Sequence, residues 1–240
     1  MYSKKNKKII VTGGSGRFGL ALKNSKTNYK FIYPKKSELN ILNSKSIIRY
    51  LKKSKAKILL HLAGLSRPML THEKNINKSI NLNIIGTSNI VMACSKLNIK
   101  VIYFSTSYVY PGKKGNYKED DPVFPWNNYA WSKLGGECAV QMYNNSLILR
   151  ICMTEKPFLH KSAFSNVKTN FIFHDDLSKI FIKLINKKGI INVGGPTKTV
   201  YNFAKKYNPK VKKIIAKKEK QISYPLNPYM NLNKLKKIIE

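Results

Sequence analysis

The sequence predicts an α/β protein built on a doubly wound parallel sheet, with a small C-terminal cap. Short apolar runs rich in β-branched residues alternate with longer amphipathic stretches, which is the pattern of strand–helix–strand units. A glycine-rich turn follows the first apolar run and leads into the first amphipathic stretch. Because the alternation weakens past residue 151, we expect a main sheet domain over residues 1–152 and a smaller region over 153–240, partly interleaved with it.

The elements follow from these patterns in chain order. Strands are predicted at 8–12, 31–33, 58–62, 101–105 and 147–151, and helices at 17–24, 44–53, 80–97 and 129–143. Loops, where functional residues tend to lie, are expected at 66–76, 111–128 and 153–170. The last part of the chain is predicted to hold helices at 175–186 and 201–207, a strand at 190–193 and a closing amphipathic helix at 232–239.

The composition is that of a folded chain with a sizeable core. Of the 240 residues, 42% are hydrophobic and 11% aromatic, which excludes a mainly disordered protein. No apolar run reaches the roughly 18 residues of a membrane span, and the start of the chain lacks a leader pattern, so we expect no signal peptide and no membrane partner. The three cysteines, Cys94, Cys138 and Cys152, follow no disulfide or metal-ligand spacing. This predicts buried free thiols, a cytoplasmic protein and no metal site.

The charge balance is the most extreme property of the sequence. Lysine and arginine total 45 against 11 acidic residues, a net charge of +34. Only four of the basic residues are arginines, and the lysines are spread over the whole chain. Sequence-specific nucleic-acid binders rely on arginine forks and local basic patches. We therefore interpret lysine as the default solvated residue and expect no specific nucleic-acid partner, with salt-sensitive, sequence-indifferent binding as the alternative.

Three glycines, Gly13, Gly16 and Gly19, stand between the first strand and the first helix. In a Rossmann-type dinucleotide fold, such glycines make the turn, let the backbone approach a diphosphate and let the helix pack on the strand. The diphosphate faces the N-terminus of the helix, which here carries Arg17 and Phe18. The segment predicts dinucleotide binding through these five residues. Its GxxGxxG spacing resembles the short-chain dehydrogenase/reductase superfamily.

The end of the second predicted strand bears on the choice of dinucleotide. An acid there would accept hydrogen bonds from the adenosine ribose. The stretch instead reads FIYPKKSELN, in which Lys35 and Lys36 follow the strand. Two cations attract a 2′-phosphate, so NADP is favoured over NAD. The alternative is that these lysines only reflect the general excess of lysine.

A Tyr-x-x-x-Lys spacing on the fourth predicted helix indicates redox chemistry. Tyr129 and Lys133 stand at positions i and i+4 and therefore share one helix face. A phenol that exchanges a proton at neutral pH needs a neighbouring cation that stabilises its phenolate, and Lys133 is expected to lower the Tyr129 pKa. Thr106, at the end of the strand that precedes this helix, supplies a hydroxyl for a carbonyl oxygen. We predict that these three residues form a catalytic group.

Residues 104–137 resemble, nearly position for position, the active-site region of the dTDP-4-dehydrorhamnose reductase family of extended short-chain dehydrogenases. Further resemblance lies in HLAG at 61–64, NLNIIGTSNI at 81–90, FIFHDDLSKIF at 171–181 and INVGGPTKTV at 191–200. The resemblance implies that Thr106, Tyr129 and Lys133 are the catalytic triad. It also implies an NAD(P)-binding Rossmann domain, a substrate-binding C-terminal region, and cofactor contacts at Ala63, Gly64 and Asn83.

The residues after Thr106 sort the related subfamilies. The 4,6-dehydratases resemble one another in an Asp-Glu pair there, and the bifunctional epimerase-reductases in a cysteine, whereas this chain has Ser107 and Tyr108. The resemblance therefore implies NAD(P)H-dependent reduction of a 4-keto group on a nucleotide-activated deoxysugar, in carbohydrate biosynthesis. The stretch after Arg150 resembles the family little, which leaves the sugar and the base open.

Two alternatives stay open within this resemblance, and the assembly is a separate expectation. The first alternative is a nucleotide-sugar epimerase, which retains its cofactor through a full cycle. The second is a catalytically silent NADP-binding regulatory subunit. We expect a nucleotide-sugar partner and allow for a homodimer.

Overall fold

A computed structural model of the protein describes residues 7–217 and 225–240. The strands are β1 (Lys7–Thr12), β2 (Tyr29–Ile32), β3 (Ile58–His61), β4 (Lys100–Thr106), β5 (Ser146–Ile151), β6 (Met153–Thr154), β7 (Ser162–Phe164), β8 (Lys168–Thr169), β9 (Ile172–Phe173), β10 (Gly189–Val193), β11 (Lys198–Thr199) and β12 (Lys212–Ile214). The helices are α1 (Arg17–Lys23), α2 (Ser44–Ser54), α3 (Leu70–Lys74), α4 (Ile76–Ser79), α5 (Gly86–Lys96), α6 (Asn128–Gln141), α7 (His174–Leu184), α8 (Val200–Tyr207) and α9 (Asn233–Ile239). A π-helical segment, Ile80–Ile85, joins α4 to α5.

The central sheet has six strands in the order β2-β1-β3-β4-β5-β10, and every neighbouring pair is parallel. In register, Ile9 of β1 pairs with Phe31 of β2 on one side and Ile58 of β3 on the other. The chain therefore leaves β1 toward one edge and returns to β3 on the opposite side. In α/β proteins, ligands bind outside the carboxyl ends of the strands at such a switch point. The predicted doubly wound parallel sheet is confirmed.

Alternating apolar side chains of the strands build a core on each face of the sheet. Ile9 and Val11 belong to the face covered by α1, α7 and α9, where the Phe18 ring lies 4.8 Å from that of Phe104 and 5.9 Å from that of Phe181. Ile10, between them in sequence, belongs to the opposite face, which α2, α5 and α6 cover. This period of two explains why the first strand was predictable from its apolar run.

Three predicted segments are wrong in detail. The loop predicted at 66–76 contains α3 and reaches the first residue of α4, and the helix predicted at 80–97 begins with the π-helical segment. The loop predicted at 153–170 contains the short strands β6, β7 and β8, which pair with β9, β12 and β11. Strands of two or three residues carry no readable alternation, so their pairing depends on tertiary contacts.

The part of the chain beyond residue 152 contributes to both the sheet and a smaller cluster. Strand β10 pairs with β5 at the sheet edge, and Leu177 and Phe181 of α7 are buried in the core of the first face. Phe158, Phe173 and Phe203 form a separate apolar cluster beside the sheet. The division of the chain at residue 152 stays a prediction.

The cysteines are free thiols, as the spacing predicts, but one of them is not buried. Cys94 and Cys152 are buried, whereas Cys138 is exposed on α6, because the neighbouring Glu137 takes the inward-facing position on that helix. Within residues 7–217 and 225–240, no helix is both long and apolar enough to cross a membrane. The same residues contain no group of three or more His, Cys, Asp or Glu side chains arranged to hold a metal ion.

Candidate active site

A cleft of about 700 Å³ lies at the carboxyl ends of the strands, where the order reverses between β1 and β3. The turn after β1, the loop after β3, the end of β4 and helix α6 enclose it, together with the segment after β5. The predicted site residues that line it are Gly13, Gly16, Arg17, Phe18, Gly19, Gly64, Thr106, Tyr129 and Lys133. The cleft therefore joins the glycine turn and the predicted catalytic group in one space.

The glycine turn is shaped so that backbone, not side chain, faces the cleft. Gly13 has φ of +69°, and a Cβ there would lie 2.6 Å from the Ala63 backbone nitrogen, so only glycine fits between β1 and β3. Gly16 caps α1 without a side-chain hydrogen bond, and a Cβ on it would meet only the Gly13 carbonyl oxygen, at 3.1 Å. The first-turn N–H groups of α1 have no acceptor within the helix. This cradle fits the diphosphate of a dinucleotide.

Thr106, Tyr129 and Lys133 come from two adjoining elements. Thr106 is the last residue of β4, and α6 is capped by Asn127, whose Oδ1 accepts a hydrogen bond from the Ala130 N–H at 2.8 Å. This cap starts the helix so that Tyr129 stands in its first turn and Lys133 one turn later. The Thr106 hydroxyl accepts a hydrogen bond from the Tyr108 N–H at 3.3 Å and lies near enough to the Tyr129 phenol to lower its pKa. The Lys133 ammonium lies over the Tyr103 ring, 4.1 Å from its centre.

The proton affinities of this group are shifted in opposite directions by burial. Burial raises the pKa of Tyr129 to about 12, opposed by the hydrogen bond from Thr106 and the positive charge of Arg67. Burial lowers the pKa of Lys133 to about 7, opposed by the Glu137 carboxylate. In this structure Thr106 and Arg67 lower the Tyr129 pKa, while the Lys133 ammonium lies over the Tyr103 ring. The expected effect of Lys133 on the Tyr129 pKa stays a prediction.

A buried ion pair lies behind the cleft and connects the elements that carry these residues. Glu137 of α6 accepts hydrogen bonds from Arg150 of β5, at 3.0 Å from Nε and 2.6 Å from Nη2. Its other oxygen accepts from Ser105 of β4, and Arg150 Nη1 donates to the Tyr110 hydroxyl at 2.8 Å. Every member of this group is fully or almost fully buried. It fixes α6 against β4 and β5.

Four predicted cofactor contacts do not line the cleft: Lys35, Lys36, Ala63 and Asn83. Lys35 and Lys36 are exposed beyond β2, where the Lys35 N–H donates to Glu38 at 2.7 Å. Ala63 lies against Gly13, and its N–H donates to Thr12 Oγ1 at 3.3 Å. The roles of these three residues stay predictions.

Asn83 is buried behind the loop that follows β3. Its Oδ1 accepts from the Leu65 N–H at 2.7 Å, and its Nδ2 donates to the Leu65 carbonyl and to Ser132 Oγ, both at 2.8 Å. The amide thus holds the loop that carries Gly64 against α6. The role of Asn83 in binding a cofactor stays a prediction.

Several charged and polar residues of the cleft escape sequence reasoning. Arg67 and His174 line it, and Glu155 pairs with two arginines beside it. Tyr108 also lines it, with its ring 6.2 Å from that of Tyr129. The sequence offers one signal for Arg67, which is that arginine is rare in this chain: only four of its 45 basic residues are arginines.

Comparison with known proteins shows which family this chain belongs to and which proteins it resembles. The model of the RmlD substrate binding domain matches residues 7–156. A methionine adenosyltransferase 2 subunit beta from Pongo abelii is 28% identical over 156 residues, 61% of this chain and 46% of that protein. A dTDP-4-dehydrorhamnose reductase from Aggregatibacter actinomycetemcomitans is 26% identical over 200 residues, 79% of this chain and 63% of that protein. The chain spans about half the length of the curated relatives it matches.

A solved structure matches nearly the whole chain. The dTDP-4-dehydrorhamnose reductase from Bacillus anthracis, crystallised in complex with NADP, superposes with a TM-score of 0.85. The match covers 98% of this chain and 92% of that one at 21% sequence identity. The predicted Rossmann-type fold is confirmed by this likeness.

Proposed function

Because the chain belongs to the RmlD substrate binding domain family, we propose that it reduces a 4-keto group on a nucleotide-activated deoxysugar with a nicotinamide dinucleotide. The observation that carries the proposal is that Thr106, Tyr129 and Lys133 line one cleft with the glycine turn. A phenol, a hydroxyl and a cradle for a diphosphate are the groups that such a reduction needs. The reductases among its relatives support the same reaction class.

The glycine turn would hold the dinucleotide. The first-turn N–H groups of α1 would bind its diphosphate, and Gly13 and Gly16 leave room for the approach. When bound, the reduced dinucleotide supplies the hydride. We propose NADP rather than NAD, since Lys35 and Lys36 follow β2 and no acid directly ends that strand. We also assign the reaction to the cytoplasm, which suits a chain with three free cysteines.

The chain's own residues would manage the proton. With a pKa near 12, Tyr129 keeps its phenolic proton at neutral pH and is able to donate it to the carbonyl oxygen as that oxygen gains charge. Thr106 would hydrogen-bond the same oxygen and fix its position. After the proton has left, the Thr106 hydroxyl and the positive charge of Arg67 stabilise the phenolate. Lys133, one turn along α6, would hold the ribose hydroxyls.

The test is NADPH oxidation by the purified protein with a panel of nucleotide 4-keto-6-deoxysugars. Tyr129→Phe removes only the proton donor, so turnover should fall by about 10²- to 10⁴-fold while dinucleotide affinity stays unchanged. Tyr143→Phe is the matched control, because Tyr143 lies just beyond the far end of α6 and its hydroxyl donates only a long hydrogen bond, 3.5 Å, to the Cys94 carbonyl. It should retain wild-type turnover.

Two outcomes would contradict the reductase. An epimerase would interconvert sugars without net oxidation of NADPH. A regulatory subunit would turn over none of the panel, and its biological effect would survive Tyr129→Phe.

The cofactor preference has its own test. Replacing Lys35 and Lys36 together by alanine should weaken binding of NADPH and leave that of NADH unchanged. Replacing Lys52 and Lys53, two exposed lysines on α2, provides the control for the general loss of positive charge. Equal losses for NADPH and NADH would contradict a 2′-phosphate contact.

A further inference from the structure

Glu155 connects two arginines at the cleft. Its Oε1 lies 2.5 Å from Arg17 Nη1 and 2.7 Å from Arg67 Nη1. Arg17 is the first residue of α1, Arg67 lies in the loop after β3, and Glu155 follows β6. We call this group of three residues the Glu155 clasp. It joins three segments that are far apart in sequence.

The clasp is poor in negative charge. One carboxylate oxygen serves two guanidinium groups, whose side chains are 54% and 47% exposed, against 15% for Glu155. His174 lines the cleft close to the three charges, but burial lowers its pKa, so it adds no positive charge at neutral pH. The two arginines are thus left with a net positive charge and with donors free for a stronger anion.

The two guanidinium groups flank the route between the glycine turn and the catalytic residues. Arg17 follows Gly16 directly in the turn. The charge of Arg67 acts on the Tyr129 phenol and lowers its pKa. A ligand that reaches from the cradle of α1 to Tyr129 passes both side chains, which line the cleft. Two planar forks suit the oxygens of two linked phosphate groups.

We propose that Arg17 and Arg67 form a subsite for a diphosphate, and that Glu155 competes with the diphosphate for both guanidinium groups. The inference rests on the proposed function and deepens it, because both of its ligands carry a diphosphate: the dinucleotide and the nucleotide sugar. Ion pairs whose cations are half exposed contribute little, so a diphosphate displaces the carboxylate from the two arginines at small cost. Glu155 therefore holds the two arginines in place and lowers the affinity of the subsite for a diphosphate.

The test is a calorimetric titration of wild type and Glu155→Gln with NADPH and, separately, with dTDP. Glutamine keeps the size of the side chain and removes its charge, so the competitor is weakened. The dissociation constant for at least one ligand should fall by about two- to five-fold, the range of one exposed ion pair. Asp176→Asn is the matched control, because this exposed acid loses the same charge and its partner Lys179 is 3.7 Å away. It should change neither affinity by a comparable factor.

The pattern of responses identifies the source of the diphosphate. Tighter binding of NADPH alone assigns the subsite to the dinucleotide, and tighter binding of dTDP alone assigns it to the nucleotide sugar. Tighter binding of both ligands means that the subsite accepts either diphosphate. Arg67→Gln should weaken the same ligand and abolish the gain from Glu155→Gln. Unchanged or weakened binding of both ligands by Glu155→Gln overturns the proposal, as does unchanged binding by Arg67→Gln. Because these titrations need no turnover, their failure is distinct from failure of the reductase.

Discussion

Two carboxylate–arginine groups of this molecule have similar chemistry and different surroundings. Glu137 and Arg150 lie behind the cleft, 0% and 3% exposed, and both oxygens of the carboxylate accept hydrogen bonds. In the Glu155 clasp one oxygen contacts two arginines that remain half exposed. Breaking the first group leaves a buried charge without water, whereas breaking the second leaves two arginine charges that are already half exposed to solvent. The buried group therefore fixes the catalytic elements, and the exposed group is able to exchange partners.

The comparison also explains where this chain uses arginine. Arg17, Arg67 and Arg150, three of its four arginines, belong to these two groups, and the fourth, Arg49, is exposed on α2. Elsewhere lysine serves as the basic residue. A guanidinium forms several directed hydrogen bonds at once, which an ammonium point charge does not reproduce. In a lysine-rich sequence, arginine thus marks positions where geometry matters.

The largest expected effect concerns the buried group. Glu137→Ala should lower the free energy of unfolding by about 3–5 kcal/mol, because it leaves the Arg150 guanidinium buried without its counter-ion. Urea unfolding of the variant and of wild type measures the difference. A loss below about 1 kcal/mol would mean that Glu137 behaves like an exposed acid, and the contrast between the two groups would fail.

A smaller effect is expected from His61, another buried polar residue beneath the cleft. Its Nδ1 lies 2.8 Å from Thr12 Oγ1 and its Nε2 3.1 Å from Thr87 Oγ1, and burial lowers its pKa to about 3 with help from the Lys133 charge. Between pH 6.5 and 3, His61 is protonated in the unfolded chain but neutral in the folded chain. The free energy of unfolding therefore decreases as pH falls. At pH 5 this contribution is about 2 kcal/mol.

His61→Gln removes that titration, so its unfolding free energy should lose less than that of wild type between pH 7 and pH 5. Parallel urea titrations at the two pH values measure this. The exposed His160→Gln is the control and should follow wild type. If His61→Gln showed the wild-type slope, the acid sensitivity would belong to the carboxylates instead.

The smallest effect on stability is expected at the cleft. Glu155→Gln should change the free energy of unfolding by no more than about 1 kcal/mol, since both partners of the carboxylate are half exposed. Thermal unfolding beside Glu137→Ala sharpens the contrast. A loss of the same size in both variants would show that the clasp is structural, and its competition with a diphosphate would lose its physical basis.

The sequence predicted the parts of the molecule whose signals are local. The strand predicted at 101–105 is β4 (Lys100–Thr106), and the helix predicted at 129–143 is α6 (Asn128–Gln141). Thr106, Tyr129 and Lys133 were predictable as a group because a strand end and an i, i+4 spacing place them with few long-range assumptions. The glycine turn, with Gly13 at positive φ, was readable for the same reason.

Features that depend on contacts between distant residues were not predictable. Arg67 and Glu155 are 88 positions apart, and each alone is indistinguishable from a solvated charge. The exposed position of Cys138 depends on which face of α6 the Glu137–Arg150 pair fixes toward the sheet. Strands β6, β7 and β8 are defined by their pairing with β9, β12 and β11, which follow later in the chain. Sequence patterns record local preference, whereas these features arise from the folded chain.

The late position of α7 and β10 in the chain has a consequence for biosynthesis. Phe18 packs against Phe181, and β10 completes the sheet next to β5. A nascent chain grows from its N-terminus at about 5–20 residues per second, so the α1 face of the sheet stays uncovered while the ribosome adds the last forty residues before Val193. Arrest of translation near residue 152 would release an apolar face of this sheet, which makes the truncated product a target for chaperones and proteases.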